Sequence, residues 1–170
     1  MKTGWAVDPD GTDTARSTSR FGRSNPAQTT FAGKVIQPET PYSGRYALVT
    51  GPAAGTSANA NDLDGRTTIR SRQIDLPDPV GVGSFRYYFG HGPSSASDWL
   101  KVYVEDDQGQ RTLVWSRFGT ASTVAAVWTR ATFSLTPWAG KPIHLVFQAN
   151  DGGHDSLVEV GIDDVRVEQP

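Results

Sequence analysis

Apolar and polar residues alternate most cleanly in the second half of the chain. Residues 84–89 put Phe85, Tyr87 and Phe89 on one face, and residues 99–104 set Leu100, Val102 and Val104 against Trp99, Lys101 and Tyr103. A period of two marks a strand with one face buried. Asp107-Gln108-Gly109 supplies a hairpin turn, and residues 111–118 return from it as the partner strand. Residues 128–135, 142–149 and 157–167 predict three more strands, with one helical turn at 137–140. The first half is less regular. Strands are expected at 4–7 and 46–50, with a strand pair within 67–76. Residues 14–44, broken by Pro26, Pro38 and Pro41, read as loop. Strands recurring about every ten residues with turns between them predict a sandwich rather than βαβ units. The expected fold class is all-β: a two-sheet antiparallel β-sandwich of jelly-roll type, one domain over residues 1–170.

Composition agrees. Val (15) outnumbers Leu (8) and Thr is abundant (17), so β-branched types dominate where helix formers would otherwise be common. The net charge of -2 and a pI near 5.9 give no basic field for nucleic acid. No apolar run is long enough to span a membrane as a helix. The absence of Cys removes disulfides, thiol catalysis and Cys-based zinc sites. The amino terminus lacks the basic-then-apolar layout of a secretion signal, and the chain is expected to be a segment of a longer protein.

The acids are lopsided, with fourteen Asp against four Glu, and they cluster. Asp8, Asp10 and Asp13 share one turn-rich stretch, Asn61-Asp62-Leu63-Asp64-Gly65 forms a second, and Asp163-Asp164 interrupts the last strand. At an effective dielectric near 20, two like charges ~4 Å apart repel by about 4 kcal/mol. A hard divalent cation removes that repulsion and accepts the loop oxygens around it. Each cluster could equally serve its own turn, and Asp163 could meet an arginine instead.

Aromatic residues suggest a second kind of chemistry. Trp99, Tyr103 and Tyr88 are expected on a face where sugar rings could stack, with Lys101, Arg86 and Asp98 to bond hydroxyls and His91 as a further ligand-binding candidate. The competing reading is that loops 14–44 cover that face as core. His91, His144 and His154 have no metal-ligand spacing. A hydrolase could be drawn from His91, Asp98 and a serine, or a glycan-cleaving enzyme from Glu105 and Glu159, but no motif singles these out.

The ending Ile162-Asp163-Asp164-Val165-Arg166-Val167 resembles the close of MAM domains and of galactose-binding-like carbohydrate-binding jelly rolls. Gly4-Trp5, Asp13-Thr14-Ala15, Ala47-Leu48-Val49-Thr50-Gly51, the 61–65 turn, residues 85–92 and Ser156-Leu157-Val158-Glu159 extend the likeness over nearly the whole chain. Taken together, they are similar to an accessory domain that follows the catalytic domains of secreted bacterial hydrolases, notably zinc carboxypeptidases and other peptidases. The resemblance implies a non-catalytic extracellular module with a structural Ca²⁺, held by Asp13, Asp62, Asp64 and Asp163. With Asp10 from the first turn, these form the expected metal set, tying loops 8–13 and 61–65 to the last strand. The expected partners are a glycan or other polymeric substrate and a parent catalytic domain. A protein-interaction or stabilising role for a secreted peptidase is the alternative.

Overall fold

Every segment with a clear period of two is a strand in the computed structural model of the chain, which describes residues 4–56, 61–153 and 156–168. In order, the strands are β1 Trp5–Val7, β2 Gly22–Ser24, β3 Thr29–Phe31, β4 Lys34–Gln37, β5 Ala47–Val49, β6 Gly65–Ser71 and β7 Ile74–Asp75. They continue as β8 Val82–His91, β9 Trp99–Glu105, β10 Arg111–Phe118, β11 Thr129–Ser134, β12 Pro142–Asp151 and β13 Val158–Val167. The turn expected at 137–140 is a 3-10 turn at Thr136–Trp138.

The first sheet has the order β1-β6-β12-β9-β10, with β7 beside one end of β12, and the second has the order β11-β8-β13-β5-β2. Every pairing within them is antiparallel. Two antiparallel sheets joined by crossing connections are the jelly-roll sandwich expected from the sequence. The inward residues of β9 and β12 (Leu100, Val102, Val104, Leu145, Phe147) meet those of β8 and β13 (Phe85, Phe89, Val160, Ile162) in one core. Phe85 sits at its centre, with Trp115 edge-on at 5.3 Å and Phe147 at 5.2 Å. Such ring pairs add about 0.5–1.5 kcal/mol each beyond the area they bury. Trp115 points inward because β10 carries a bulge: Leu113 pairs with Tyr103 but Trp115 with Val102.

The stretch 14–44 is not simply loop. It holds β2 and the β3–β4 hairpin, strands of three or four residues that are too short to show alternation. β2 is the edge strand of the second sheet, beside β5, while the β3–β4 hairpin and the residues around it lie over that sheet's outer face. Tyr88 on β8 is fully buried there, donating its hydroxyl to Gln37 Oε1 at 3.0 Å and packing on Trp128 at 4.8 Å. Two glycines make the close approach possible. A Cβ at Gly90 would stand 2.1 Å from the Ile36 carbonyl, and one at Gly161 would stand 2.1 Å from the Tyr88 ring. The second sheet is thus covered on both sides. Among the described residues, the outer face of the first is crossed by the loop after β1.

Candidate functional site

Antiparallel register arranges the outer face of the first sheet in rows running from β6 through β12 and β9 to β10. One row is Arg66, Asn150, Trp99 and Phe118; the next is Thr68, Gln148, Lys101 and Ser116. Then come Arg70, Val146, Tyr103 and Leu113, and last His144, Glu105 and Arg111. Leu113 and Phe118 are 49% and 43% exposed, while Trp99, Lys101 and Tyr103 are half-buried. The Lys101 ammonium lies 4.1 Å above the Trp99 ring and 5.8 Å from that of Phe118. Burial raises the Tyr103 hydroxyl's pKa, against the opposing charges of Arg111 and Arg66.

One end of this face is locked by charge. Glu105, 5% exposed, accepts Arg70 Nε at 2.6 Å and Arg111 Nε at 2.7 Å. Arg111 also donates Nη2 to Asp10 at 2.7 Å. Asp10 belongs to the β1 side of the sheet, and β10 is three strand spacings beyond β6, roughly 14 Å. The loop after β1 therefore leans over the face, where Thr12 carbonyl also accepts from Arg66. At the loop's base, the Arg20 guanidinium donates to Asp8 Oδ2, to the Asp13 carbonyl and to the Ala15 carbonyl. Arg20 supplies the positive charge that a metal would bring to such a loop.

The aspartates expected around one ion are not brought together. Asp10 pairs with Arg111, Asp64 lies 3.5 Å from Arg16, and Asp13 Oδ2 accepts the Thr68 N–H at 2.8 Å. Asp163 lines a cleft of about 220 Å³ with Trp5, Arg23 and Tyr46, but its oxygens accept the N–H groups of Ser43 and Asp164. Asp62 lies instead on the side of Asp151 and Glu159, whose titration its charge affects. Among the described residues no group of three His, Asp or Glu is arranged to hold a metal. The five do not gather around one calcium site: Asp10 and Asp64 face arginines and Asp163 accepts backbone N–H groups, while Asp13 keeps a buried Oδ1 with no hydrogen-bond partner among the described residues. His154 lies outside the described residues.

The expected ligand set also divides. Trp99 and Tyr103 share the open face, as their alternation required. Tyr88 does not join them: it lies in the other sheet, beneath the 14–44 segment. Arg86 is also on that sheet, stacked 4.4 Å above Tyr42. Asp98 and His91 are each 1% exposed. His91 Nδ1 donates to the Gly92 carbonyl at 2.6 Å rather than to Asp98, whose partners are Ser94, Ser156 and Gly152. Glu105 and Glu159 project from different sheets and form no catalytic pair.

Asp98 instead anchors the rim of the sandwich. It accepts from Ser94 and the Gly152 N–H, and Ser156 Oγ stands 2.9 Å from both Asp98 and Asp151, its one proton shared between the two carboxyls. Burial opposes ionisation of Asp98, but these hydrogen bonds outweigh it and hold its carboxyl below the usual range. Asp151 goes the other way. Burial pushes it up to about 8, the Ser156 hydroxyl resists, and the neighbouring charges of Asp98 and Asp62 raise it further. Glu159, wholly buried, is raised well above its ordinary value by burial, with Thr50 opposing and Asp62 adding.

The sequence missed Arg66, Gln148, Asn150 and Phe118 as members of the face. Phe118 was within reach, because the 107–109 hairpin fixes its strand against Trp99. Arg66 and Gln148 were not, because their positions depend on pairing between strands far apart in sequence.

No protein-family model matches the chain, and no curated protein does. Solved structures share its fold. TmCBM61 in complex with beta-1,4-galactotriose is 15% identical with a TM-score of 0.50, over 99% of this chain and 90% of that one. The K2 cleaved adhesin domain of Lys-gingipain is 15% identical with a TM-score of 0.53, over 98% and 89%. The enzymatically active domain of bacteriophage CBA120 tailspike protein 4 is 9% identical with a TM-score of 0.50, over 97% of this chain and 19% of that one. At such identities the likeness is one of fold.

Proposed function

We propose that the chain is a non-catalytic carbohydrate-binding module of a secreted bacterial enzyme and that the open face of the first sheet is its glycan platform. The observation that carries this is the contrast between the sheets: one outer face is sealed by the 14–44 segment, while the other displays Trp99, Tyr103 and Phe118. Flat rings beside Gln148, Asn150 and Arg66 suit a polymer of sugars, whose C–H faces stack and whose hydroxyls need donors and acceptors. The fold shared with a module whose structure holds galactotriose supports the same reading. A parent catalytic domain, whether of a peptidase or of another hydrolase as in the MAM-like accessory domains, would be held near its substrate by such a face.

Affinity electrophoresis through gels containing soluble polysaccharides tests this. Trp99→Ala is expected to weaken retention of the bound glycan by about tenfold or more, since a central aromatic anchor contributes on the order of 1–2 kcal/mol. Tyr42→Ala, which alters an exposed ring in the loop over the other sheet, should leave retention unchanged. Binding that survives Trp99→Ala, or no retention by any polysaccharide, removes the proposal. Calcium enters as a separate test of stability. A rise in Tm with Ca²⁺ that EDTA reverses would support an ion, and an unchanged melt would leave the arginines as the counter-charges of the acidic turns.

A further inference from the structure

Resting on the carbohydrate-binding reading, we propose that the glycan taken by this face carries carboxylate groups, as in a polymer of uronic acid residues. Four cationic side chains stand on the face, Arg66, Arg70, Lys101 and Arg111, against two carboxylates, Asp10 and Glu105. Both carboxylates are consumed by Arg70 and Arg111. Asp8 and Asp13, from the same loop, are turned to the sheet edge, where Arg20 and the Thr68 N–H hold them. Arg66 and Lys101 form no ion pair among the described residues, and Arg66 keeps a buried Nε without an acceptor. This face is therefore net positive on a chain whose formal charge is -2.

The position of Lys101 favours a charged ligand over a neutral one. Its ammonium covers the Trp99 ring at 4.1 Å. A neutral sugar stacking on that ring must push the ammonium aside and loses its cation–π attraction. A uronate can approach the same ring with its carboxylate paired to Lys101. Arg66, in the neighbouring row with its Nη2 on the Thr12 carbonyl, adds a second positive charge along the path of the polymer.

Polygalacturonate and its fully methyl-esterified form have the same backbone and differ in charge. Titration calorimetry in EDTA is expected to show the acid form bound at least about tenfold tighter, with the advantage shrinking as NaCl rises from about 0.05 to about 0.5 M. Lys101→Met should remove about tenfold of affinity for the acid form and leave the ester unaffected or slightly tighter. A sulfated galactan serves as the other anionic source and should bind more weakly than the uronate. Equal or tighter binding of the ester, or of neutral galactan, overturns the inference while leaving the carbohydrate-binding reading in place. Tighter binding of the sulfated galactan overturns the choice of carboxylate. Failure to bind any glycan, charged or neutral, overturns both readings.

Discussion

Glu105→Ala is expected to lower the unfolding free energy by about 2–3 kcal/mol, read as a shift of the urea midpoint. The carboxylate, on β9, is nearly buried and joins Arg70 of β6, reaching over β12, to Arg111 of β10. Deleting one partner of a buried ion pair leaves charge without its counterpart, a loss of roughly 3–5 kcal/mol when the rest is dry. Here the two arginine side chains are 30% and 24% exposed, so water recovers part of it. In a background with both arginines changed to Met, the same substitution should cost much less, because no cation is then stranded. The effect should reach the loop after β1 as well, since Arg111 is what holds Asp10 over the face. A loss below about 1 kcal/mol would mean the cluster is only a solvated surface pair.

The second large effect is on pH dependence. Asp151 keeps its proton up to about pH 8 in the folded chain because of burial, with Asp98 and Asp62 adding to it. An unfolded carboxyl releases its proton near pH 4. Between those values the folded state binds the extra proton, so its contribution is complete below about pH 4 and is lost as pH rises through about 8. Glu159, raised by burial, acts in the same direction. Asp98, lowered, acts in the opposite one, but only at acid pH below the usual carboxylate range. Stability should therefore fall from pH 6 to pH 9, by about 1–2 kcal/mol after allowing for the partial exposure of Asp151. Asp151→Asn should reduce that slope and raise stability at pH 9, and adding Glu159→Gln should remove most of the remainder. Urea titrations at three pH values suffice, and a slope unchanged by Asp151→Asn would show that Asp151 holds no extra proton in the folded chain.

Much of the sandwich could be read in the sequence because its long strands announce themselves. Leu100, Val102 and Val104 alternate against Trp99, Lys101 and Tyr103, and the inward set is wholly buried. The short strands of 22–37 gave no such signal, yet they decide which sheet is open. Acidic clustering identified Asp8, Asp10 and Asp13 as a unit but not its counter-charge. Arg20 is a near neighbour in sequence, whereas Arg111 arrives from the far edge of the sheet.

What the sequence determined alone is the side of its own strand on which each residue stands, because successive side chains in a pleated backbone point to opposite faces. That is enough to join Trp99 to Tyr103 and to bury Val102. Which strands become neighbours, and which covering segment lies over each sheet, depend on contacts between residues distant along the chain. Those contacts separated Tyr88 and Arg86 from Trp99, gave Asp10 and Asp64 to arginines, and brought Arg66 and Phe118 into one row. Alternation is a local consequence of backbone geometry, whereas register and covering are settled by the packing of the whole molecule.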